Sequence, residues 1–455
     1  MTLSEYIDSI REKSVGVIGA GVSNTPWIEL LLREGIRVKV HDRRTEEQMG
    51  QLAEQFRTSG AVLSLGESYL EDLDEDILFR TPGLMPFEAH LAAAKARGAV
   101  LTSEMELFLS LCPCPVIAVT GSDGKTTTTT IISELLKAAG YRVHLGGNIG
   151  KPLLCELPDF REGDAAVLEL SSFQLHSMRC HTDVAVITNL SPNHLDKHLD
   201  YQDYIDAKAN IFLGQSETGR LVLWADDAHA AYYASQTPGQ VSWFANGHRV
   251  SRGSFCDGES LYRHGRKVLD KAEIRLPGEH NVLNFLAAFE ATEGRVSDEV
   301  CRKVAMEFAG VAHRLELVRE KDGVRYINDS IGSSPSRTIA GLKAMKKKPI
   351  ILCGGYDKHI PFEPLGEALV QMAKTVVLTG ATADKIRAAI ETAPGYAESG
   401  LRVEMEPDFD AAVRLAASLA QPGDTVLLSP ACASFDHFKN FEERGEHFRS
   451  LVMAL

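Results

Sequence analysis

Residues 119–130 read VTGSDGKTTTTT, with a lysine directly after a glycine and five hydroxyls directly after the lysine. Each of these residue types suits a bound phosphate. Glycines let backbone N–H groups fold around the anion, a lysine neutralises its charge, and a threonine hydroxyl reaches a phosphate oxygen or a magnesium ion. The spacing departs from the Walker A pattern G-x-x-x-x-G-K-[ST], because Val119 stands five positions before Gly124 and the earlier glycine is Gly121. Gly121, Ser122, Asp123, Gly124, Lys125, Thr126 and Thr127 are nevertheless candidate nucleotide-phosphate residues, with Thr126 on the magnesium side. The plainer alternative is an ordinary turn followed by a low-complexity threonine tract.

The elements that must position this loop favour the nucleotide. Residues 115–119 (PVIAV) are a short apolar, β-branched run that predicts a buried strand. Ile131, Ile132, Leu135 and Leu136 recur at helical spacing, and Gly140 supplies a stop signal. Strand, glycine loop, Lys-Thr and helix together aim a helix N-terminus at an anion.

Other chemistry-bearing residues are spread along the chain. Glu169 ends the apolar run AAVLE. A strand-tip carboxylate in a phosphate-loop protein commonly holds magnesium, the alternative being a solvated strand end. His194, Asp196 and His198 lie in NLSPNHLDKHLD, where imidazole and carboxylate would suit a transition metal. On spacing alone His198 reads as an incidental loop histidine, and His194 is open between the two readings. Lys208, in YIDAKANIF, reads as a helix-surface lysine. Polar groups also follow the strands of the last third of the chain: His313-Arg314, Asp329-Ser330, Asp357-Lys358 and the segment SPACASFDHFKNFEERG.

Periodicity places these residues in three successive α/β units. SVGVIGAG, a helix through WIELLLREG, and IRVKVHD form a βαβ start with Gly19, Gly21 and a terminal Asp42, about 20 residues on, as in dinucleotide folds. Asn24 replaces the third glycine of G-x-G-x-x-G, which weakens a nicotinamide reading. TPG (81–83), after DILFR, is a second candidate ligand loop. The strands PVIAV, YRVHL, DAAVLEL, DVAVITN and RLVLWAD, alternating with helices, predict a mostly parallel central sheet. VRYIND, KPIILCGG, TVVLTG and DTVLLSP predict a third α/β unit. The expected division is 1–103, 104–311 and 312–455: a Rossmann-like domain, a phosphate-loop domain and a second Rossmann-like domain.

Composition bounds the partners. A net charge of −14 argues against general binding to nucleic acid or to an anionic membrane surface. The N-terminus lacks the basic-then-apolar order of a signal peptide, and no apolar run is long enough to span a bilayer. The eight cysteines are scattered, and CPC (112–114) without a second pair is not a zinc site. A cytoplasmic enzyme with reduced thiols, expected to be a monomer, fits these features.

TGSDGKTTT, GGNIG, LELSSFQL, the histidine of SPNHLD, the lysine of DAKANIF, HNVLN, HRLE, NDS and SPACASFDHFKNFEERG occur in one order along the chain. In that order they resemble the Mur ligases, over essentially the whole length, and within that family most closely its D-glutamate-adding branch. The short G-x-x-G-K-T loop resembles the family's own ATP-binding form. The resemblance implies an ATP- and magnesium-dependent amide ligase joining D-glutamate to UDP-N-acetylmuramoyl-L-alanine through an acyl phosphate, in peptidoglycan precursor synthesis. It implies that Gly19, Gly21, Val22, Ser23, Arg44 and Thr81 hold the uridine diphosphate end and that Asn148 lies near the sugar. Asn281, Asn284, Arg314 and Asp329 would frame the adenine nucleotide. Glu169 and His194 would sit at magnesium, with His194 also a candidate proton acceptor. Lys208 would be a carbamylated lysine at the metal, and Ser333, Lys358, Ser434, Phe435 and Phe441 would belong to the D-glutamate site. One departure is that this chain reads DSIGS (329–333) where the family often has D-S-K-A-T, so that Ile331 stands in place of a lysine. Mur-type ligases with another amino acid and folylpolyglutamate synthases share the ATP core. A nicotinamide oxidoreductase and a non-enzymic nucleotide switch are the rivals from other classes.

Overall fold

The computed structural model describes residues 1–192, 197–357 and 361–455. The chain divides into two compact units, Met1–Phe308 and Ala309–Leu455, and carries three sheets.

In the first sheet, β1 (Ser14–Ile18), β2 (Arg37–Asp42), β3 (Val62–Leu65), β4 (Ile77–Arg80) and β5 (Val100–Thr102) run parallel in the order β3-β2-β1-β4-β5. The order reverses between β1 and β4, so the loops after these strands form a crevice at their carboxyl ends. The helix Thr25–Arg33 packs Trp27, Ile28 and Leu31 into the core, with Trp27 against Phe79 of β4.

The second sheet also lies in the first unit. It comprises β6 (Val116–Thr120), β7 (Val143–Gly147), β8 (Ala165–Glu169), β9 (Val184–Ile187), β10 (Arg220–Trp224), β11 (Gln240–Asn246), β12 (Gly253–Cys256), β13 (Ser260–Arg263) and β14 (Arg266–Asp270). Their order is β14-β13-β12-β11-β10-β9-β6-β8-β7, parallel except for the terminal pairings of β13 with β12 and β14. β6, β8 and β9 are buried along their whole length. Covered on both faces, these strands read as unbroken apolar runs rather than alternations.

One side chain joins the two sheets. Arg80, at the end of β4, is 1% exposed, and its guanidinium donates to Ser177 Oγ at 2.7 Å and to the carbonyls of Phe173 at 3.0 Å and Leu84 at 2.9 Å. Burial lowers its pKa to about 10. The end of the first sheet is thus fastened to the 173–177 turn that follows β8.

The second unit contains β15 (Glu316–Lys321), β16 (Val324–Asn328), β17 (Ile350–Cys353), β18 (Thr375–Leu378), β19 (Arg402–Met405) and β20 (Thr425–Leu428), in the order β15-β16-β20-β17-β18-β19. β15 is antiparallel to β16 and the rest are parallel. No helix among the described residues is long and apolar enough to cross a membrane.

Candidate active site

β6 delivers the 121–124 loop, and the helix Lys125–Ala138 begins at its end. Gly121 and Gly124 have φ of 144° and 77°. A Cβ on Gly121 would lie 1.9 Å from Thr188 Oγ1, and one on Gly124 would lie 2.4 Å from Asn284 Oδ1. Both positions therefore demand glycine for conformation and for space. The first half of the loop is tied down. Ser122 N–H donates to the Asn189 carbonyl and Asp123 N–H to Asn189 Oδ1, each at 2.9 Å. The first-turn N–H groups of the following helix have no intrahelical partner and are left to meet an anion. Within the threonine run, Thr129 and Thr130 hydroxyls bond back to the carbonyls of Lys125 and Thr126, and Thr128 donates to Asn284 Oδ1. These bonds are how a poor helix-forming sequence is accommodated in a helix.

Two lysine amines converge on this loop. Lys125 Nζ donates to the carbonyls of Gly121 at 3.0 Å and Ser122 at 2.8 Å. Lys208 Nζ donates to the same Gly121 carbonyl at 2.8 Å and to Thr120 Oγ1 at 3.2 Å, and lies over the Tyr204 ring. Lys208 is 1% exposed. Burial, reinforced by the nearby Lys125 charge and opposed by Glu169, holds its pKa well below the ordinary lysine value. The surface reading of Lys208 is thus corrected: the helix Tyr201–Ala209 turns this residue inward with Tyr204 and Ile205.

Glu169, at the tip of β8, is 2% exposed rather than a solvated strand end. Its Oε1 accepts from Asn148 Nδ2 at 2.7 Å, and its Oε2 is buried without a hydrogen-bond partner. A buried carboxylate oxygen left open is suited to a cation. Thr126 is buried at the start of the adjacent helix. Asn148, expected near a sugar, therefore also orients this carboxylate. A cavity of about 170 Å³ opens beside the loop, lined by Asp123, Gly124, Thr188, Asn189, Phe244, His280, Leu283, Asn284 and Ala287. Asn284 lines it directly. Asn281 stands behind, accepting from Asn284 Nδ2 at 3.1 Å and donating to the Pro277 carbonyl at 2.7 Å.

At the first sheet, Gly19, Gly21, Val22, Ser23, Arg44 and Thr81 gather at the carboxyl ends of β1, β2 and β4. Asp42 Oδ2 accepts Ala20 N–H, and its carboxylate is gripped by Arg44 through Nε at 2.9 Å and Nη2 at 2.8 Å. Burial would raise the Asp42 pKa, but the Arg44 and Ala20 hydrogen bonds outweigh it and hold it below the usual range. In a dinucleotide fold this acid meets a ribose hydroxyl; here it is already taken. Asn24, in the third-glycine position, is buried and donates to the carbonyls of Ile18 and Gly19.

In the second unit, Asp329 follows β16 and accepts from Ser429 Oγ at 2.7 Å and Leu315 N–H at 3.2 Å. Burial pushes its pKa up to about 6. Arg314 is exposed, close enough to act on the Asp329 charge. Ser333 lies four residues past Asp329, in the same loop. Ser434 is buried and Phe435 is exposed, edge-on to Tyr356. Phe441 starts the last helix, and its carbonyl accepts Ser330 Oγ at 2.8 Å. Sequence reasoning did not single out Arg444. Its buried guanidinium donates to Ser330 Oγ and to the carbonyls of Ser330, Cys432 and Ala433, strapping the two loops together. His194, Asp196 and Lys358 lie outside the described residues. His198 is buried between Asp203 and Ser172, not an incidental loop residue.

A glycine loop at a helix start, a strand-tip carboxylate with an open oxygen and a buried lysine amine define a phosphate-loop α/β site. The family model described as Mur ligase middle domain matches residues 119–292, and that described as Mur ligase, glutamate ligase domain, matches 313–432. A UDP-N-acetylmuramoylalanine–D-glutamate ligase of Clostridium novyi (strain NT) is 45% identical over 455 residues, covering 100% of this chain and 99% of its own. One from Acetivibrio thermocellus is 46% identical over 460 residues, with 100% and 99% covered. The solved structure of the UDP-N-acetylmuramate-alanine ligase MurC of Thermotoga maritima has the same fold, with a TM-score of 0.53 at 17% identity over 97% of this chain and 99% of its own. The chain belongs to the Mur ligase family.

Proposed function

We propose that this chain is the cytoplasmic, monomeric ligase that uses ATP to join D-glutamate to UDP-N-acetylmuramoyl-L-alanine in peptidoglycan precursor synthesis. The named activity of relatives 45–46% identical over the whole length supports the substrate pair. The observation that carries the chemistry is the pair of lysine amines on the single Gly121 carbonyl. On this reading residues 1–103 bind the UDP-sugar, 104–311 bind ATP and 312–455 bind the amino acid. Arg314, Asp329, Ser333, Lys358, Ser434, Phe435 and Phe441 keep the roles that the resemblance gives them, as does His194 at the metal.

The alanyl carboxylate is unreactive toward an amine because oxide is a poor leaving group. Its oxygen attacks the γ-phosphorus of ATP, the bond to ADP breaks, and an acyl phosphate forms. The nitrogen of D-glutamate then attacks the acyl carbon, loses a proton, and expels phosphate. Lys125 leaves its loop carbonyls to neutralise the transferring phosphoryl group, while the loop and helix N–H groups orient it. Glu169, Thr126 and Lys208 fit a magnesium ion, which would supply charge neutralisation at the phosphates. Once deprotonated, the Lys208 amine adds CO₂ and releases a second proton, so that a negatively charged carbamate stands where an ammonium would repel the metal.

Phosphate release with UDP-N-acetylmuramoyl-L-alanine against a panel of amino acids tests the assignment. Release is expected with D-glutamate. Equal use of D-alanine would reject it, because a site that pairs the side-chain carboxylate loses about 1.5–3 kcal/mol without that contact.

A further inference from the structure

The polar segment that follows residues 193–196 belongs to a second constellation, apart from the phosphate loop. His198 Nδ1 lies 2.7 Å from Asp203 Oδ2, and His176 Nε2 lies 2.8 Å from Asp203 Oδ1. One carboxylate thus bridges two imidazoles, and the three residues come from three chain segments: the end of the short helix Ser172–Leu175, the loop before residue 200, and the first turn of the helix Tyr201–Ala209. One ligand atom from each residue lies within 4.8 Å of the others. Two imidazoles and a carboxylate are a set that suits zinc or a similar divalent transition ion, and an open fourth position would take water. With bonds of about 2.0–2.1 Å, tetrahedral ligand atoms stand about 3.3 Å apart. The two imidazole nitrogens lie 2.7 and 2.8 Å from separate oxygens of the carboxylate, closer than that spacing, so the rings must draw back from Asp203 to admit the ion.

The surroundings are built as such sites are. His198 Nε2 lies 2.9 Å from Ser172 Oγ, which can accept the ring proton once Nδ1 turns to a metal. The Phe173 ring stacks on His198 at 5.5 Å, and the Phe87 ring meets His176 edge-on, also at 5.5 Å. His198 is fully covered, while His176 and Asp203 keep 15% and 17% of their side chains exposed, which leaves an entry side. His176 Nδ1 is buried without a hydrogen-bond partner, so this ring is not yet held at both ends.

We propose that His176, His198 and Asp203 form a binding site for one divalent transition-metal ion, distinct from the magnesium site at the phosphate loop. The bound ion cross-links the 172–176 turn to the helix that carries Lys208, and so stiffens the wall behind the phosphate loop.

The test uses the tag-free full-length chain with Co²⁺ as the probe, in excess Mg²⁺ so that the phosphate-loop site is filled. One Co²⁺ per chain is expected, with the visible absorption of a tetrahedral ion and a rise in melting temperature. His176→Gln, at the exposed rim, and Asp203→Asn should abolish the band while melting cooperatively without metal. Ser172→Ala should keep the band but weaken Co²⁺ binding by about 10–100-fold. Absence of the band at millimolar Co²⁺ would overturn the proposal, leaving the triad a hydrogen-bonded clamp. A band that persists in both His176→Gln and Asp203→Asn would overturn it equally. His198→Ala is not relied on, because that ring is core.

Discussion

The chain uses the strand–glycine loop–helix motif twice in its first unit, with opposite electrostatic results. After β1, the 19–24 loop is closed on itself. Asp42 takes the Ala20 N–H and the Arg44 guanidinium, and the Asn24 amide fills the loop from inside. After β6, the 121–124 loop carries two lysine amines on one carbonyl, with the Glu169 carboxylate behind it still holding an open oxygen. In the first loop acid and base cancel, making a neutral platform on which a ligand is positioned. The second keeps unbalanced groups, which a triphosphate and a cation can satisfy. The shared backbone geometry fixes where a ligand lies, and the side chains around each loop decide whether it is held or transformed.

The contrast breaks most visibly at Lys125. Lys125→Ala should lower turnover by at least about 10²–10³-fold, measured as phosphate release, with an unchanged melting curve. Near-normal turnover would place the lysine among surface charges. Lys208→Ala should be almost as damaging, and high concentrations of formate or acetate should restore part of the activity by supplying carboxylate oxygens in the vacated space. Full activity without any additive would refute the carbamate, as would ¹³C-bicarbonate labelling with no carbamate signal that depends on Lys208.

A matched pair of alanine substitutions sharpens the comparison. Gly124→Ala meets Asn284 Oδ1 and a positive φ, and should cost about 1–3 kcal/mol in urea unfolding together with ATP affinity. Gly21→Ala meets no atom within 4 Å and should stay within about 0.5 kcal/mol. Equal losses would show that the positive φ and the Asn284 contact do not set the cost at Gly124.

A modest, pH-dependent effect is expected of Arg44→Ala. The folded Asp42 carboxyl titrates below its unfolded value of about 3.9. The stability it contributes is therefore fully present above that pH and is lost as pH falls through the folded value. The substitution should flatten this acid limb. At neutral pH it should cost only about 0.5–1 kcal/mol, because the Arg44 side chain is 43% exposed and solvent screens the pair. Unfolding curves at pH 3 and pH 7 check the sign. An acid limb as steep as that of the unsubstituted protein would show that Asp42 does not depend on Arg44.

Local signals were the legible ones. The central strands announced themselves because burial on both faces leaves an apolar run, and the phosphate loop did so because strand, glycines, lysine and helix are contiguous. β3, β5, β15 and β19 were not read, being sheet margins with partly exposed, mixed residues. Lys208 looked superficial because its burial is set by which face of its helix packs inward, a tertiary fact. The bridging role of Asp203 and the straps made by Arg80 and Arg444 were hidden for the same reason, since these pairings reach back 27 residues to His176, across 93 to Phe173 and back 114 to Ser330. The pattern gave the position of Asp42, at the spacing of dinucleotide folds, but not Arg44's grip on it.

The Arg80 strap has a consequence for which substrates can react. By fastening the first sheet to the 173–177 turn, it fixes the span between the platform after β1 and the loop after β6. On the proposed reading, that span is a ruler laid along the UDP-sugar. A nucleotide–peptide whose spacer is one residue too short or too long would still anchor by its uridine end. Its carboxylate would stop short of the phosphoryl group or run past it, so the mismatch would appear in kcat while KM held.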